Sequence, residues 1–411
     1  MKELKFETRA ILDSASRPDG FRGIRFPVYS SVAFDFESAE EINATFEGKK
    51  PAHSYSRLSN PTVETFERKI TDLEDGHATI ALSSGMAAIT NLLFTVMQSG
   101  DNVLVSHYLF GNTYSLLKDT FPGYGLETRF VNILDEAAIE GAIDQNTRAL
   151  ILETISNPQM IVPDIKKIAE ITQKHGVLLI VDATVVTPWL FDPKDFGADI
   201  VIHSTTKFIS GGATSVGGVI VDLGVFDWKR IPALKNYHHL GENALIARLK
   251  KEIFRNFGAC MAPQTAFLQS LGLETLALRV NQSCYNSMII AERLVNHPNV
   301  TAVHYPGLED SAFHEISKKQ FKGKFGGILG FELQDRDTCF QFMNHLKLIY
   351  RATNLNDNNS LIIHPASTIF CDFTNDQKKE IKVSEGLLRL SVGIGHVDDT
   401  WEDIVNALES I

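Results

Sequence analysis

The feature that most constrains this chain is a series of short, largely apolar runs separated by helical patterns. Val103-Leu104-Val105, Thr128–Val131, Ala149-Leu150-Ile151-Leu152, Val177–Val181, Ile200-Val201-Ile202 and Gly218–Val221 come one after another. Val63–Leu73 and Ile165–His175 carry helical spacing, and so does Met86–Met97, which Gly100 ends. Apolar runs of this kind read as strands buried on both faces. Strands that alternate with helices need right-handed crossovers, which give a mostly parallel sheet covered by helices. The expected class is α/β.

The flanking regions read differently. Residues 1–61 are irregular, with Pro18, Pro27, Pro51 and Pro61 and with Gly20, Gly23 and Gly48. They predict an extended N-terminal arm with one short helix at Glu40–Phe46, of the kind that packs against another subunit. Beyond about Pro232 the pattern changes to long helices at Leu245–Phe257 and Ala266–Leu294. Strands come next at Phe325–Leu333 and Leu387–Val392, and a terminal helix at Thr400–Leu408. The expected division is an arm (1–61), a large sheet domain (62–255) and a smaller α+β C-terminal domain (256–411).

Composition excludes several classes. With 411 residues, 44% hydrophobic and 22% charged, the chain can bury a large core and is neither disordered nor fibrous. A net charge of −11 repels nucleic acid and anionic lipid, so any anionic ligand needs a local site. No stretch reaches the ~18 apolar residues of a membrane span. The start, Met1 to Glu7, lacks the pattern of a secretory signal, and a cytoplasmic location is expected. Cys260, Cys284, Cys339 and Cys371 have no metal-ligand spacing and read as reduced thiols; no metal site is expected.

Ligands of open parallel sheets bind at the carboxyl ends of the strands. Three such places carry chemistry-bearing residues. Val177–Val181 runs into Asp182-Ala183-Thr184. A carboxylate there either caps a turn or holds a cationic ring nitrogen. Ile200-Val201-Ile202-His203 leads into Ser204-Thr205-Thr206-Lys207 and then Gly211-Gly212. A lysine at this point either snorkels outward or, desolvated, supplies the neutral amine that a Schiff base needs. Ser83-Ser84-Gly85-Met86 opens a helix, either as a plain serine cap or as a cradle of free N–H groups for a phosphate. No dinucleotide fingerprint or P-loop is present. A phosphate cradle, an acid and an amine are together the groups that pyridoxal 5'-phosphate requires.

With these groups in place, the chain resembles the Cys/Met metabolism family of pyridoxal-phosphate enzymes. The stretches that carry the resemblance are Tyr55–Thr62, Ser83–Ala88, Glu153-Thr154-Ile155-Ser156-Asn157-Pro158, Asp182-Ala183-Thr184, Ser204–Lys207 with Gly211-Gly212, and Leu388–Gly393. The resemblance implies the aspartate-aminotransferase-like architecture known as PLP fold type I. It also implies roles. Lys207 would bind the cofactor as a Schiff base and shuttle protons. Asp182 would pair with the ring nitrogen, and Asn157 would contact the ring hydroxyl. Gly85, Met86, Ser204 and Thr206 would hold the phosphate. Tyr55 and Arg57 would reach the phosphate of a neighbouring subunit, so that sites are shared in a dimer and dimers pair into a tetramer. Phe110 and Thr184 would line the cofactor. Arg389 would bind the substrate carboxylate, with Asn354 and Tyr55 beside the substrate.

Within that family, Arg255-Asn256-Phe257-Gly258, Asn354-Leu355-Asn356-Asp357 and Ile363–Thr368 are more similar to O-acetylhomoserine sulfhydrylases than to the lyases. The implied activity is replacement of the acetate of O-acetylhomoserine by sulfide or a thiol. The alternatives are a methionine or cystathionine γ-lyase and an O-succinylhomoserine sulfhydrylase. Phe110-Gly111-Asn112-Thr113 stands where the family usually has a tyrosine. Phe110 can stack on a ring but cannot donate a proton, which suits an acetate leaving group better than a thiolate. Asn112 replaces the cysteine of methionine γ-lyases, and Ala183, Phe370 and Gly395 are further departures.

Overall fold

The computed structural model describes residues 4–12 and 23–411. Seven strands form the larger sheet: β1 (Ala78–Leu82), β2 (Asn102–Ser106), β3 (Glu127–Val131), β4 (Thr147–Glu153), β5 (Leu178–Asp182), β6 (Ile200–His203) and β7 (Gly218–Asp222). Their order is β1-β7-β6-β5-β4-β2-β3. Strands β3, β2, β4, β5 and β6 are mutually parallel, and β7 runs antiparallel to both β6 and β1. The sequence pattern does not pick out β1. Its Ala78-Thr79-Ile80-Ala81-Leu82 mixes small and polar residues with apolar ones, and only pairing with Val219 and Val221 of β7 makes it a strand.

Four helices pack around this sheet near its functional edge: α1 (Pro61–Leu73), α2 (Gly85–Val96), α3 (Gly111–Ser115) and α4 (Ile165–His175). Alternation along β5 divides the interior into two cores. Leu179 and Val181 join Ile168 and Ala169 of α4. Leu178 and Ile180 join Leu92, Leu93 and Val96 of α2. Each fully buried Leu or Ile of this kind stabilises the fold by roughly 1.5–3 kcal/mol relative to exposure. Ser84 caps α2 by accepting from the Ala87 N–H, and Asp164 caps α4 by accepting from Lys167. Gly176 ends α4 at φ 69°, a conformation that favours glycine.

The C-terminal sheet contains β8 (Ala302–His304), β9 (Ile328–Glu332), β10 (Tyr350–Arg351), β11 (Leu361–Ile363) and β12 (Leu387–Ser391), in the order β10-β11-β12-β9-β8. The expected helix over Ala266–Leu294 is two helices, α5 (Pro263–Glu274) and α6 (Leu276–Val295), broken at Thr275. The Arg279 side chain explains the break. Its guanidinium donates to the Thr275 hydroxyl (3.0 Å), to Phe208 O (2.7 Å) and to Gly272 O (2.5 Å), so it takes over a helix carbonyl and ties the corner to the loop after Lys207. No helix among the described residues is long and apolar enough to cross a membrane.

At this corner α5 touches the Lys207 loop backbone to backbone. A Cβ on Gly272 would lie 2.2 Å from Ile209 O and 2.6 Å from Gly211 N, where nothing flexible can yield. Gly272→Ala is therefore expected to destabilise the protein by at least about 1–3 kcal/mol. A urea midpoint equal to that of the parent protein would show that the approach is not as close as described.

Candidate functional site

A cavity of about 150 Å³ opens at the carboxyl ends of β4, β5 and β6. It is lined by Gly85, Met86 and Ile89 of α2, by Phe110 and Thr113, by Glu153 and Asn157, by Asp182, Thr184 and Val185, by Ser204 and Lys207, and by Thr353 and Leu355. The apolar strands deliver their polar ends to one place, and the C-terminal region closes it from the far side.

Lys207 donates from Nζ to Asn354 Oδ1 at 2.6 Å, and Asn354 Nδ2 donates to Asp357 Oδ2 at 3.1 Å. Burial, followed by the positive charge of Arg389, lowers the Lys207 amine to about 8, with Asp357 acting in the opposite direction. An amine at about 8 is neutral in an appreciable fraction of molecules near pH 7, which nucleophilic and proton-transfer roles require. Asp182 is raised by burial, against the Thr184 backbone N–H, which donates to its Oδ1 at 2.9 Å, and against nearby His203. Both groups lose hydration because their strands are covered on both faces.

Arg389 of β12 is fully buried, and burial lowers it to about 10. It donates to Asn354 O at 2.8 Å and more weakly to Thr353 O and Asn157 Oδ1, both at 3.4 Å, while its Nε has no partner among the described residues. A buried guanidinium without a carboxylate fits a site that receives an anion.

The start of α2 forms a cradle. The N–H groups of Gly85 and Met86 have no intrahelical partner and sit at the positive end of the helix dipole. The backbone is packed closely here. A Cβ on Gly85 would lie 2.8 Å from Ser204 Cβ, and one on Gly218 would lie 2.2 Å from Ser84 O. Ser204 is fixed in turn by its N–H, which donates to Thr184 Oγ1 at 2.8 Å. An amine, an acid, an unpaired guanidinium and a helix N-terminus around one cavity fit the donor and acceptor needs of pyridoxal 5'-phosphate.

Matching against known proteins agrees. The model of the Cys/Met metabolism PLP-dependent enzymes matches residues 7–409. The chain belongs to that family. It is 38% identical to a homocysteine synthase of Schizosaccharomyces pombe over 98% of each chain. It is 36% identical to an L-methionine γ-lyase of Pseudomonas putida, over 98% of this chain and 97% of that one. Among solved structures it superposes on a Campylobacter jejuni protein provisionally assigned as an O-acetylhomoserine (thiol)-lyase and bearing a pyridoxyl-lysine phosphate. The TM-score is 0.94 at 35% identity, covering 99% and 100% of the two chains. The family is pyridoxal-phosphate dependent, and the architecture is the fold-type I expected from sequence.

Not every residue singled out by sequence lies at the cavity. Gly85, Met86, Phe110, Asn157, Asp182, Thr184, Ser204 and Lys207 line it, and Asn354 and Arg389 stand directly behind it. Thr206 does not line it; its hydroxyl accepts from Gly217 N–H at 3.1 Å and donates to Gly217 O. Tyr55 and Arg57 lie on the surface of the arm, where the Arg57 guanidinium sits 5.5 Å from the Tyr55 ring centre and donates to Arg255 O. Phe370 is buried against Phe373 instead of facing the cavity.

Two features escaped the sequence reading. Glu153 ends β4 inside the cavity, and its Oε1 accepts from Phe110 N–H at 2.7 Å. The one signal that pointed to it was its place at the head of the Glu153–Pro158 motif, where an apolar run ends. His203, the last residue of β6, is fully buried and pairs with Glu74 at the end of α1, anchoring the strand from which Ser204 and Lys207 depart. Nothing in the sequence joins residues that far apart.

Arg389 favours the neutral form of Lys207, so removing its charge should raise the amine above about 8. In Arg389→Gln, the pH midpoint for capture of pyridoxal 5'-phosphate by the amine, followed by absorbance, is expected to move upward. A midpoint that stays in place or falls would show that Arg389 does not set the charge state of Lys207.

Proposed function

We propose that this protein catalyses γ-replacement on O-acetylhomoserine, exchanging acetate for sulfide or a thiol to give homocysteine or methionine. The observation that carries this reading is a cavity lined by both a desolvated lysine and Phe110, with no tyrosine or histidine of the same chain among the described lining residues. Acetate departs without a strong proton donor, whereas a thiolate leaving from carbon benefits from one. The similarity to a homocysteine synthase and to an O-acetylhomoserine (thiol)-lyase supports the same reading.

Pyridoxal 5'-phosphate, when bound, supplies the electron sink for charge that develops at the substrate Cα. The chain's own residues do the rest. Lys207 would carry one proton at a time on Nζ: it would take the proton from Cα and pass it to the bound cofactor before taking one from Cβ as acetate leaves Cγ, and it would return protons to Cβ and Cα after hydrosulfide has added at Cγ. Asp182 balances the positive ring nitrogen, Thr184 and Asn157 orient the ring, and Phe110 covers it. The N–H groups of Gly85 and Met86 and the hydroxyl of Ser204 hold the phosphate. Thr206 joins them by releasing Gly217. Arg389 takes the substrate carboxylate in its planar fork, close to Asn354. Tyr55 and Arg57, exposed on the arm, complete the site of an adjacent copy, which makes the active form a homodimer or a tetramer of dimers. A cytoplasmic enzyme of amino-acid metabolism, with no nucleic-acid or membrane partner, fits the acidic composition.

The similarity to a methionine γ-lyase makes lyase chemistry the competing reading. A panel of acetyl-, succinyl- and phosphohomoserine, and of methionine and cystathionine, separates the two when each is run with and without sulfide. Sulfide-dependent acetate release from O-acetylhomoserine is expected to dominate. Dominant 2-oxobutyrate formation without sulfide would overturn the reading, and preferred succinate release would change the acyl group.

Lys207→Ala is expected to lower turnover by at least about a hundredfold, the usual worth of a positioned acid–base group. Parent-level turnover would remove Lys207 from the chemistry. Phe110→Tyr restores a hydroxyl above the cofactor and is expected to raise γ-elimination from methionine. No gain would mean that the missing hydroxyl does not decide the leaving group.

A further inference from the structure

Two carboxyl side chains stand next to each other at the cavity, and the proposed reaction uses only one of them. Glu153 and Asp182 are direct Cα partners on the parallel strands β4 and β5, so their side chains leave the same face of the sheet. Neighbouring strands lie about 4.8 Å apart. Both residues line the cavity.

Their partners differ. Glu153 Oε1 accepts from Phe110 N–H at 2.7 Å. Asp182 Oδ1 accepts from Thr184 N–H at 2.9 Å, and His203 lies near enough to favour the Asp182 anion. Among the described residues, the elements that line the cavity pair no cation with Glu153. Gly85, Met86 and Ile89 of α2 and Phe110 and Thr113 around α3 are uncharged. Lys207 is turned to Asn354, and Arg389 to Asn157, Thr353 and Asn354. Two carboxylates side by side in a desolvated place cannot both ionise readily.

We infer that Glu153 is held as a neutral carboxylic acid beside an ionised Asp182. It acts as a positioning residue: it fixes Phe110 through the backbone N–H without placing a second negative charge at the ring nitrogen. The inference rests on the proposed placement of Asp182 at that nitrogen. Oε1 accepts from the Phe110 N–H, a role that a neutral acid or a glutamine fills as well as a carboxylate does. Burial, then the charge of Asp182, raises Glu153 to about 8 against the opposing backbone N–H groups of Phe110 and Asn157, in line with the neutral form at pH 7.

The test uses the enzyme loaded with pyridoxal 5'-phosphate. Infrared spectra of the parent enzyme at pH 7 are expected to show the carbonyl stretch of a protonated carboxyl that Glu153→Gln lacks. The band should fade as pH rises through about 8. Cofactor affinity, read by dialysis and absorbance, should stay within roughly threefold in Glu153→Gln. It should weaken by roughly tenfold or more in Glu153→Ala, which leaves the Phe110 N–H without its acceptor. Three results would overturn the inference: no difference in the carbonyl band, a band that does not respond to pH, or equal loss of affinity in the two variants. The band in the parent enzyme decides the matter even if a variant fails to fold. Asp182→Asn is the control. Unchanged affinity in that variant would defeat the assignment of Asp182 to the ring nitrogen, an outcome separate from the behaviour of Glu153.

Discussion

The site depends on removing water from the ends of strands that are covered on both faces. Strands β5 and β6 are apolar up to their last residues, Asp182 and His203, and Lys207 follows four residues after β6 ends. The cover supplied by α2 on one face and α4 on the other leaves little hydration at these positions. Desolvation acts with opposite sign on the two groups. It disfavours the carboxylate of Asp182 and the ammonium of Lys207. One constraint thus prepares both an acid that needs a cation and an amine that is ready to react.

The C-terminal sheet makes the second contribution. Arg389 is carried behind the cavity on β12, and its buried guanidinium lowers the Lys207 amine. Asn354, in the segment between β10 and β11, accepts the Lys207 hydrogen bond and offers its carbonyl to Arg389. The same corner is tied to the larger sheet by Arg279 and by the contact of Gly272 with the Lys207 loop. Packing between the two sheets and the geometry of the reacting groups are therefore one problem.

Much of this was legible along the chain. The apolar runs marked β2 to β7, and the polar residues just beyond two of those runs are Asp182 and Lys207. The glycine-bearing helix start marked the cradle at Gly85. Periodicity did not show pairing. β1 has no apolar signature of its own, and the break at Thr275 comes from an arginine side chain four residues on. Glu153 was visible only as part of a motif, because its importance lies in standing opposite Asp182. Tyr55 and Arg57 lie apart from the cavity of their own chain.

The amino-acid order by itself determined the alternation of strand and helix, and with it a parallel sheet with chemistry-bearing residues at its carboxyl edge. Hydrophobic periodicity is a local property, and local propensities are enough to express it. Only the tertiary structure decided that Glu153 lies beside Asp182, that His203 meets Glu74, and that Arg389 and Asn354 close over Lys207. Those neighbours are set by strand order and by which side chains fill the space between two sheets. The resulting charge states come from burial, which no stretch of sequence possesses until the chain has packed.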